Sequence, residues 1–350
     1  MKRIWIKNGR VIDGTNTPAH TADVIVEGDR IVSVGEPGSP SDTVIDAAGK
    51  VVCPGFVDIH RHCDAKFLQD SDFGKVMLAQ GITTTVVGNC GMSLTPSPKD
   101  PAEMYDFMEA VLGSGCEKLG LHDYKDYVAV LQSRPLPVNA ASMVGTGSVK
   151  ITVKGFADTP YTAEELKKAA SLIEDALNAG AVGVSCGIMY LPECYSTTNE
   201  FAEILKPLGK AGRVLTAHIR GEGDSLVSSV KEIIEIGKKA GCPVEISHFK
   251  CCGMENWRKG IHEAIALIEE ARAAGQDVTC DFYPYEGGST ALTTMLPPCC
   301  VAGDMTAALA RLGTPEGVEG FRKAAAVRYD DWDNYAITLG WDRILISGVS

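Results

Sequence analysis

The stretch Pro54-Gly55-Phe56-Val57-Asp58-Ile59-His60-Arg61-His62 decides how the rest of the chain is read. A short apolar run after a Pro-Gly break predicts a strand over residues 55–60. Residues two apart on a strand project from the same face. His60 and His62 are therefore expected to stand side by side, and two adjacent imidazoles make half of a metal site.

Working outward, other ligand-type residues stand at a matching interval. Cys90 follows His60 by 30 residues and His248 follows His218 by 30. Each closes a short apolar or β-branched run. Roughly 30 residues is the length of a strand plus its crossover helix, so a repeated β/α chain would gather these strand ends at one rim, where barrel enzymes keep their chemistry. Strands are expected near residues 55–60, 83–90, 139–145, 183–188, 214–219, 244–249 and 278–283. Between them run helical segments. Residues 162–179 are the clearest, with Leu166, Ala169, Ala170, Ile173 and Leu177 on one face, Thr162 as N-cap, Glu165 three residues on and Gly180 at the end.

The predicted fold class is α/β, a (β/α)8 TIM-like barrel over residues 55–350 with a small N-terminal β domain, a β-sandwich, over residues 1–54. Short strands at 3–6, 10–13, 23–26 and 31–34, broken at Gly14 and at Glu27-Gly28-Asp29, build the small domain. Seven barrel strands are visible. The segment 343–349 carries no ligand-type residue, so the eighth strand is expected beyond Ser350.

Composition narrows the partners. The chain has 350 residues, 45% of them hydrophobic, enough for a large buried core. A net charge of −12 argues against nucleic acid and anionic membrane surfaces, because phosphate binding needs clustered Lys and Arg. The twelve cysteines are scattered, include the neighbours Cys251-Cys252 and Cys299-Cys300, and show no Cys-x-x-Cys spacing. That pattern fits a reducing cytoplasm. No apolar run approaches the roughly 18 residues of a membrane span, and the N-terminus lacks a signal-type apolar core. A small-molecule substrate is expected; the oligomeric state is not encoded in any pattern.

His60, His62, Cys90, His218 and His248 are the ligand types zinc takes, in a site that keeps a position for water or substrate. A thiolate at Cys90 suits zinc rather than magnesium or calcium, and could bridge two ions or anchor one. His20, His122 and His262 read as surface residues. Lys150 is a less well placed bridge than Cys90.

Four stretches together resemble the amidohydrolase superfamily, and within it the D-aminoacylase (N-acyl-D-amino-acid deacylase) branch: residues 55–62, Gly81-Ile82-Thr83-Thr84-Thr85-Val86-Val87-Gly88-Asn89-Cys90-Gly91, Thr216-Ala217-His218-Ile219-Arg220-Gly221-Glu222, and Ile246-Ser247-His248-Phe249-Lys250. Gly-Asn-Cys-Gly is the discriminating motif, since other branches commonly bridge metals with a carboxylated lysine. Residues 180–192 and 281–290 agree. The resemblance implies a tight zinc on Cys90, His218 and His248, and a weaker second site at His60 and His62. It also implies a substrate pocket lined by Tyr190, Arg220, Lys250, Tyr283 and Ser289. A cation such as Lys250 or Arg220 can hold a substrate carboxylate.

The branch carries its catalytic aspartate in a Gly-Ser-Asp-Gly context after the last barrel strand. Nothing like it follows His248, and Asp281, Asp330, Asp331 and Asp342 stand in other contexts; the acid/base is expected beyond Ser350. Cys63-Asp64, Thr146 and Lys150 also depart from the branch pattern. The activity implied is zinc-dependent cleavage of the linear amide of N-acyl-D-amino acids. A cyclic amide hydrolase of the dihydropyrimidinase or dihydroorotase kind, and a catalytically incomplete metal-binding scaffold, stay open beside it.

Overall fold

The computed structural model describes residues 3–301 and 305–347; the end of the segment 343–349 lies outside them. The chain divides into two compact units, one running up to Val57 together with Gly81–Thr83, the other comprising Asp58–Gln80 and the chain from Thr84 on.

In the first unit, β1 (Arg3–Val11), β2 (His20–Glu27), β3 (Arg30–Val34), β4 (Thr43–Asp46) and β5 (Val51–Val52) form one sheet in the order β3-β2-β1-β4, with β5 also on β1. The strands expected at 3–6 and 10–13 are a single strand. Its register against β2 shifts between Ile6 and Gly9, where Asn8 takes a left-handed φ of 61°, a conformation Asn tolerates better than most residues. The Asn8 side chain is anchored on Asp46 Oδ1 at 3.0 Å. Where a sandwich of two sheets was expected, the described residues form one. The reason lies in β1, which is hydrogen-bonded along both edges, antiparallel to β2 and parallel to β4 and β5, and so draws every short strand into the same layer.

The second unit follows a β/α rhythm. β6 (Phe56–Asp58) up to Val57 and the first two residues of β7 (Ile82–Val87) fall in the first unit; the rest of β7 is followed in the second by β8 (Asn139–Ser142), β9 (Val144–Gly145), β10 (Gly183–Gly187), β11 (Val214–His218), β12 (Val244–Ile246) and β13 (Val278–Cys280). They make a sheet in the order β6-β7-β8 and another in the order β9-β10-β11-β12-β13. The pairings from β7 to β8 and from β9 through β13 are parallel. The strand expected at 139–145 is split at Met143, so its first part closes one sheet and its second opens the next.

Parallel strands covered on both faces read as apolar runs, and here Val184, Cys186, Leu215, Ala217, Val244, Ile246 and Val278 share one core with the covering helices. Helix Leu226–Ala240 contributes Leu226, Val230, Ile233 and Ile236, and helix Ala163–Asn178 contributes Ala169, Ile173 and Ala176. Both show the three-to-four residue spacing of an amphipathic face. Among the described residues no helix is long and apolar enough to cross a membrane.

The expected capping box at the start of helix Ala163–Asn178 is present. Glu165 N donates to Thr162 Oγ1 at 3.2 Å, and Thr162 N donates to Glu165 Oε2 at 2.7 Å. Thr162→Ala should therefore lower the unfolding free energy by about 1 kcal/mol in urea titration, without changing the slope. An unchanged midpoint would show that the box contributes nothing.

Candidate metal centre

β6 stops at Asp58, so His60 and His62 are not strand residues, contrary to expectation. The Asp58 carboxylate turns the chain out of the ladder by accepting His60 N at 3.2 Å and Arg61 Nε at 2.6 Å. The two imidazoles still sit together, with ring centroids 5.5 Å apart and nearly perpendicular. Their loop is tied to the end of β7 by Asn89, whose fully buried amide donates to Val86 O at 3.1 Å and reaches Ile59 O and Arg61 O at 3.4 and 3.5 Å. The Asn of the Gly-Asn-Cys-Gly motif is thus a clamp around His60.

Cys90 follows with φ of 56°, and His248 has φ of 39°. Left-handed backbone is uncommon for such residues and gathers at functional sites. It turns each side chain inward as its strand ends. Gly91 and Gly187 make room for that turn: a Cβ on the first would strike the Glu193 carboxylate, and one on the second the Cys90 carbonyl.

The result is a convergence of donors. Cys90 Sγ lies 3.4 Å from His60 Nε2 and 3.6 Å from His248 Nε2. The ligand atoms of His60, Cys90 and His248 all fall within 4.8 Å of one another, as do those of His218, Glu222 and His248. The rings of His218 and His248 are 4.4 Å apart. His62 belongs to neither group, but its Nδ1 is buried without a hydrogen-bond partner among the described residues, and burial pushes its pKa down to about 3. Burial also holds His218 well below its ordinary value. These imidazoles are neutral, the form in which nitrogen binds a metal. The two groups share His248: Cys90 and His60 meet it on one side and His218 and Glu222 on the other, and among the described residues Cys90 and His218 do not fall into one group. Thiol, neutral imidazole and carboxylate are the donor types zinc takes.

Carboxylates orient the rings. Asp281 takes His60 Nδ1 at 3.0 Å and the backbone N–H of His248. Glu222 Oε1 lies 2.7 Å from His248 Nδ1 and 2.6 Å from Lys250 Nζ. Burial alone would raise the Glu222 carboxyl, but His218, His248 and Lys250 outweigh it and hold it far below the usual range. The chain pattern gave neither residue a role. Asp281 ends a strand as His218 does, which was a usable signal; Glu222 stands four residues past His218 and was quoted only as part of a motif.

The residues expected around substrate fare differently. Tyr190 is buried, its hydroxyl between His218 Nδ1 at 3.2 Å and Thr290 Oγ1 at 3.0 Å. Lys250 Nζ lies 5.5 Å from the ring centre of Tyr283. Ser289 is exposed on the loop beside Thr290. Arg220 is a correction. Its guanidinium is spent on Glu232 through two bonds, at 2.8 and 2.9 Å, and on the carbonyls of Cys194 and Ser196, so it is not free to receive a substrate carboxylate. Lys150 is buried behind the centre, bonded to Pro192 O and Ser196 Oγ, and burial lowers its pKa to about 8.

Residues 43–274 match the model of the Amidohydrolase family. The chain belongs to the amidohydrolase family. It is 38% identical over 291 residues to D-aminoacylase of Alcaligenes xylosoxydans xylosoxydans, covering 83% of this chain and 58% of that protein. It is 36% identical over 288 residues to the N-acyl-D-glutamate deacylase of the same organism, covering 82% and 58%. This amidohydrolase chain therefore spans 58% of the length of these curated relatives. Among solved structures, N-acyl-D-glutamate deacylase from Bordetella bronchiseptica, complexed with zinc and a phosphonate mimic of the tetrahedral intermediate, superposes with a TM-score of 0.78 at 33% identity, over 92% of this chain and 69% of that one.

Glu193 supports the Cys90 turn from behind. It is buried, accepts Gly187 N at 3.1 Å and bonds the Thr146 hydroxyl, yet burial raises its pKa from 4.5 to about 7. A carboxyl raised in the folded state stabilises most below its unfolded pKa, and that contribution disappears as pH rises through the folded value. The stability of this amidohydrolase should therefore fall between pH 4.5 and 7, with Glu193 accounting for up to roughly 3 kcal/mol. Urea unfolding of Glu193→Gln across that window should show a correspondingly shallower decline; an identical decline would remove Glu193 as its source.

Proposed function

We propose that this chain is a zinc-dependent hydrolase that cleaves the linear amide of N-acyl-D-amino acids to a carboxylate and the free D-amino acid, in the cytoplasm. The observation that carries the reading is the meeting of Cys90 Sγ with His60 Nε2 and His248 Nε2 beside a Lys250 ammonium. The names of the relatives support the same chemistry. Within it, residues 1–54 are a small β domain, and residues 55–350 a metal-binding domain whose successive parallel strands are staves of a (β/α)8 barrel.

Cys90, His218 and His248 would hold one zinc tightly, and His60 with His62 a second more weakly. Zinc so held supplies the positive charge that polarises an amide carbonyl and acidifies water. The chain's own groups do the rest. Asp281 and Glu222 fix the ring orientations through His60 Nδ1 and His248 Nδ1. Lys250, flanked by Tyr283, faces the substrate carboxylate. Glu222 holds its ammonium charged against the effect of burial. Ser289 and Tyr190 would line the substrate pocket with Lys250. The proton delivered to the leaving nitrogen is assigned to no described residue; Asp281 and Glu222 are both occupied with imidazoles.

Metal analysis of the purified chain by mass spectrometry should find about one zinc per chain, lost in Cys90→Ala, with hydrolysis of N-acyl-D-amino acids lost in parallel. A folded, metal-free chain, or hydantoin hydrolysis without deacylation, would overturn the proposal. Lys250→Met should lower kcat/KM by roughly 30-fold, the worth of a charge-assisted hydrogen bond, mainly through KM. The same change should matter little for substrates whose carboxylate is amidated, and an equal loss on both would mean that Lys250 does not bind the carboxylate.

A further inference from the structure

We infer that Asp333 is a positioning residue for the metal centre, holding the loop at 221–225 so that Glu222 orients His248 and Lys250. Asp333 lies in a segment outside the β/α rhythm, next to Trp332, whose indole donates to Thr294 O at 3.2 Å, and Asn334, whose amide donates to Ala325 O and Val327 O at 2.7 and 2.9 Å. All three residues are buried. A buried carboxylate persists only where donors replace water, and Asp333 has four. Oδ2 accepts Glu222 N at 2.5 Å and Gly223 N at 2.6 Å, and Oδ1 accepts Ser225 N at 3.0 Å and Ser225 Oγ at 2.8 Å. Side chains at Gly221 or Gly223 would crowd this carboxylate.

The arrangement exceeds a helix cap. Ser225 is the N-cap of helix Leu226–Ala240, so a cap would engage amides inside its first turn, whereas the backbone bonds to Asp333 come from Glu222, Gly223 and Ser225, none of them past the N-cap. Glu222 is then fixed from the other side, as Cys252 N donates to its carbonyl at 2.6 Å. With its backbone held at both ends, the Glu222 carboxylate is delivered to His248 Nδ1 at 2.7 Å and Lys250 Nζ at 2.6 Å. Nδ1 also lies 3.0 Å from Lys250 Nζ. The nearer carboxylate places the imidazole proton on Nδ1, and Lys250 bonds Glu222 and, at 2.8 Å, His248 O. Nε2 is left unprotonated where it faces Cys90. Carboxylate partners of this kind set the tautomer and basicity of a ligating imidazole.

The zinc part of the test rests on the proposed function; the tautomer part does not. In the metal-free full chain, imidazole nitrogen spectra should show the His248 proton on Nδ1, and Asp333→Asn should move it towards Nε2. Titration of the same chain with zinc against a chromophoric chelator should show binding weakened about 10–100-fold by Asp333→Asn. In a Glu222→Gln background Asp333→Asn should weaken it no further, because the two act in one line. Independent, additive losses, or an unchanged tautomer and affinity in Asp333→Asn, would reduce Asp333 to a cap and overturn the inference. If Asp333→Asn does not fold, Ser225→Ala removes one of the four bonds and should act in the same direction by a few-fold; no effect there overturns it equally. A wild-type chain that binds no zinc sinks the proposed function, while the His248 tautomer still decides the role of Asp333.

Discussion

The centre depends on the chain turning inward at two points, Cys90 and His248, as soon as their strands end. Both turns use left-handed backbone that neither residue favours, so each must be held from outside. At Cys90 the restraint is steric and polar: Gly91 and Gly187 leave room, Glu193 fills the space behind, and the Asn89 amide binds the neighbouring histidine loop. At His248 the backbone N–H is taken by Asp281 and the ring by Glu222. Short parallel strands supply rigid origins for these turns, and the side chains that enforce them come from other strands and loops. Altering one turn should therefore displace ligands carried on different elements.

Burial acts on the carboxyl groups near the centre with opposite results. Glu193 and Glu245 rise, to about 7 and about 8, with burial the leading cause. Glu222, buried, and Asp281, half-buried, nevertheless fall, because each lies against imidazoles, and Glu222 against Lys250 as well. The division separates carboxyls that bond backbone and hydroxyl groups from those that also lie against imidazoles. Perturbed carboxyls alone would have pointed to all four as functional candidates; the sign of the shift and the partner that causes it tell them apart.

Much of the architecture was legible because buried parallel strands leave apolar runs and amphipathic helices leave caps. The strand positions at 183–188, 214–219 and 244–249 and the Thr162 capping box were read from such local signals. The misreadings were non-local. The runs at 3–6 and 10–13 read as two strands and are one, with a bulge between Ile6 and Gly9, because strands on both sides keep the ladder continuous. His60 and His62 look like alternate strand residues, but Asp58 ends the strand before them. Arg220 looks like a substrate anchor, yet Glu232 on the following helix captures it. Asp333 carries no local pattern at all: its meaning comes from backbone N–H groups about a hundred residues earlier, which a chain read in order does not reveal.

The capture of Arg220 bears on selectivity. Arginine would grip a carboxylate with two parallel bonds in a fixed fork; with Arg220 held by Glu232, the cation beside the histidines is Lys250, a point charge with three donors. Those donors are directed at Glu222 Oε1 and His248 O, so under the proposed function a substrate carboxylate would share the ammonium with Glu222 and gain little orientation from it. Under that proposal, discrimination between substrates would fall to what surrounds the ammonium: the Tyr283 ring over it, the exposed loop bearing Ser289 and Thr290, and the Tyr190 hydroxyl that links that loop to His218. Because Tyr190 touches both Thr290 of that loop and the His218 imidazole, a change in the loop is transmitted to a ring of the candidate metal centre. Under the proposed function, specificity and metal geometry would be coupled by one phenol.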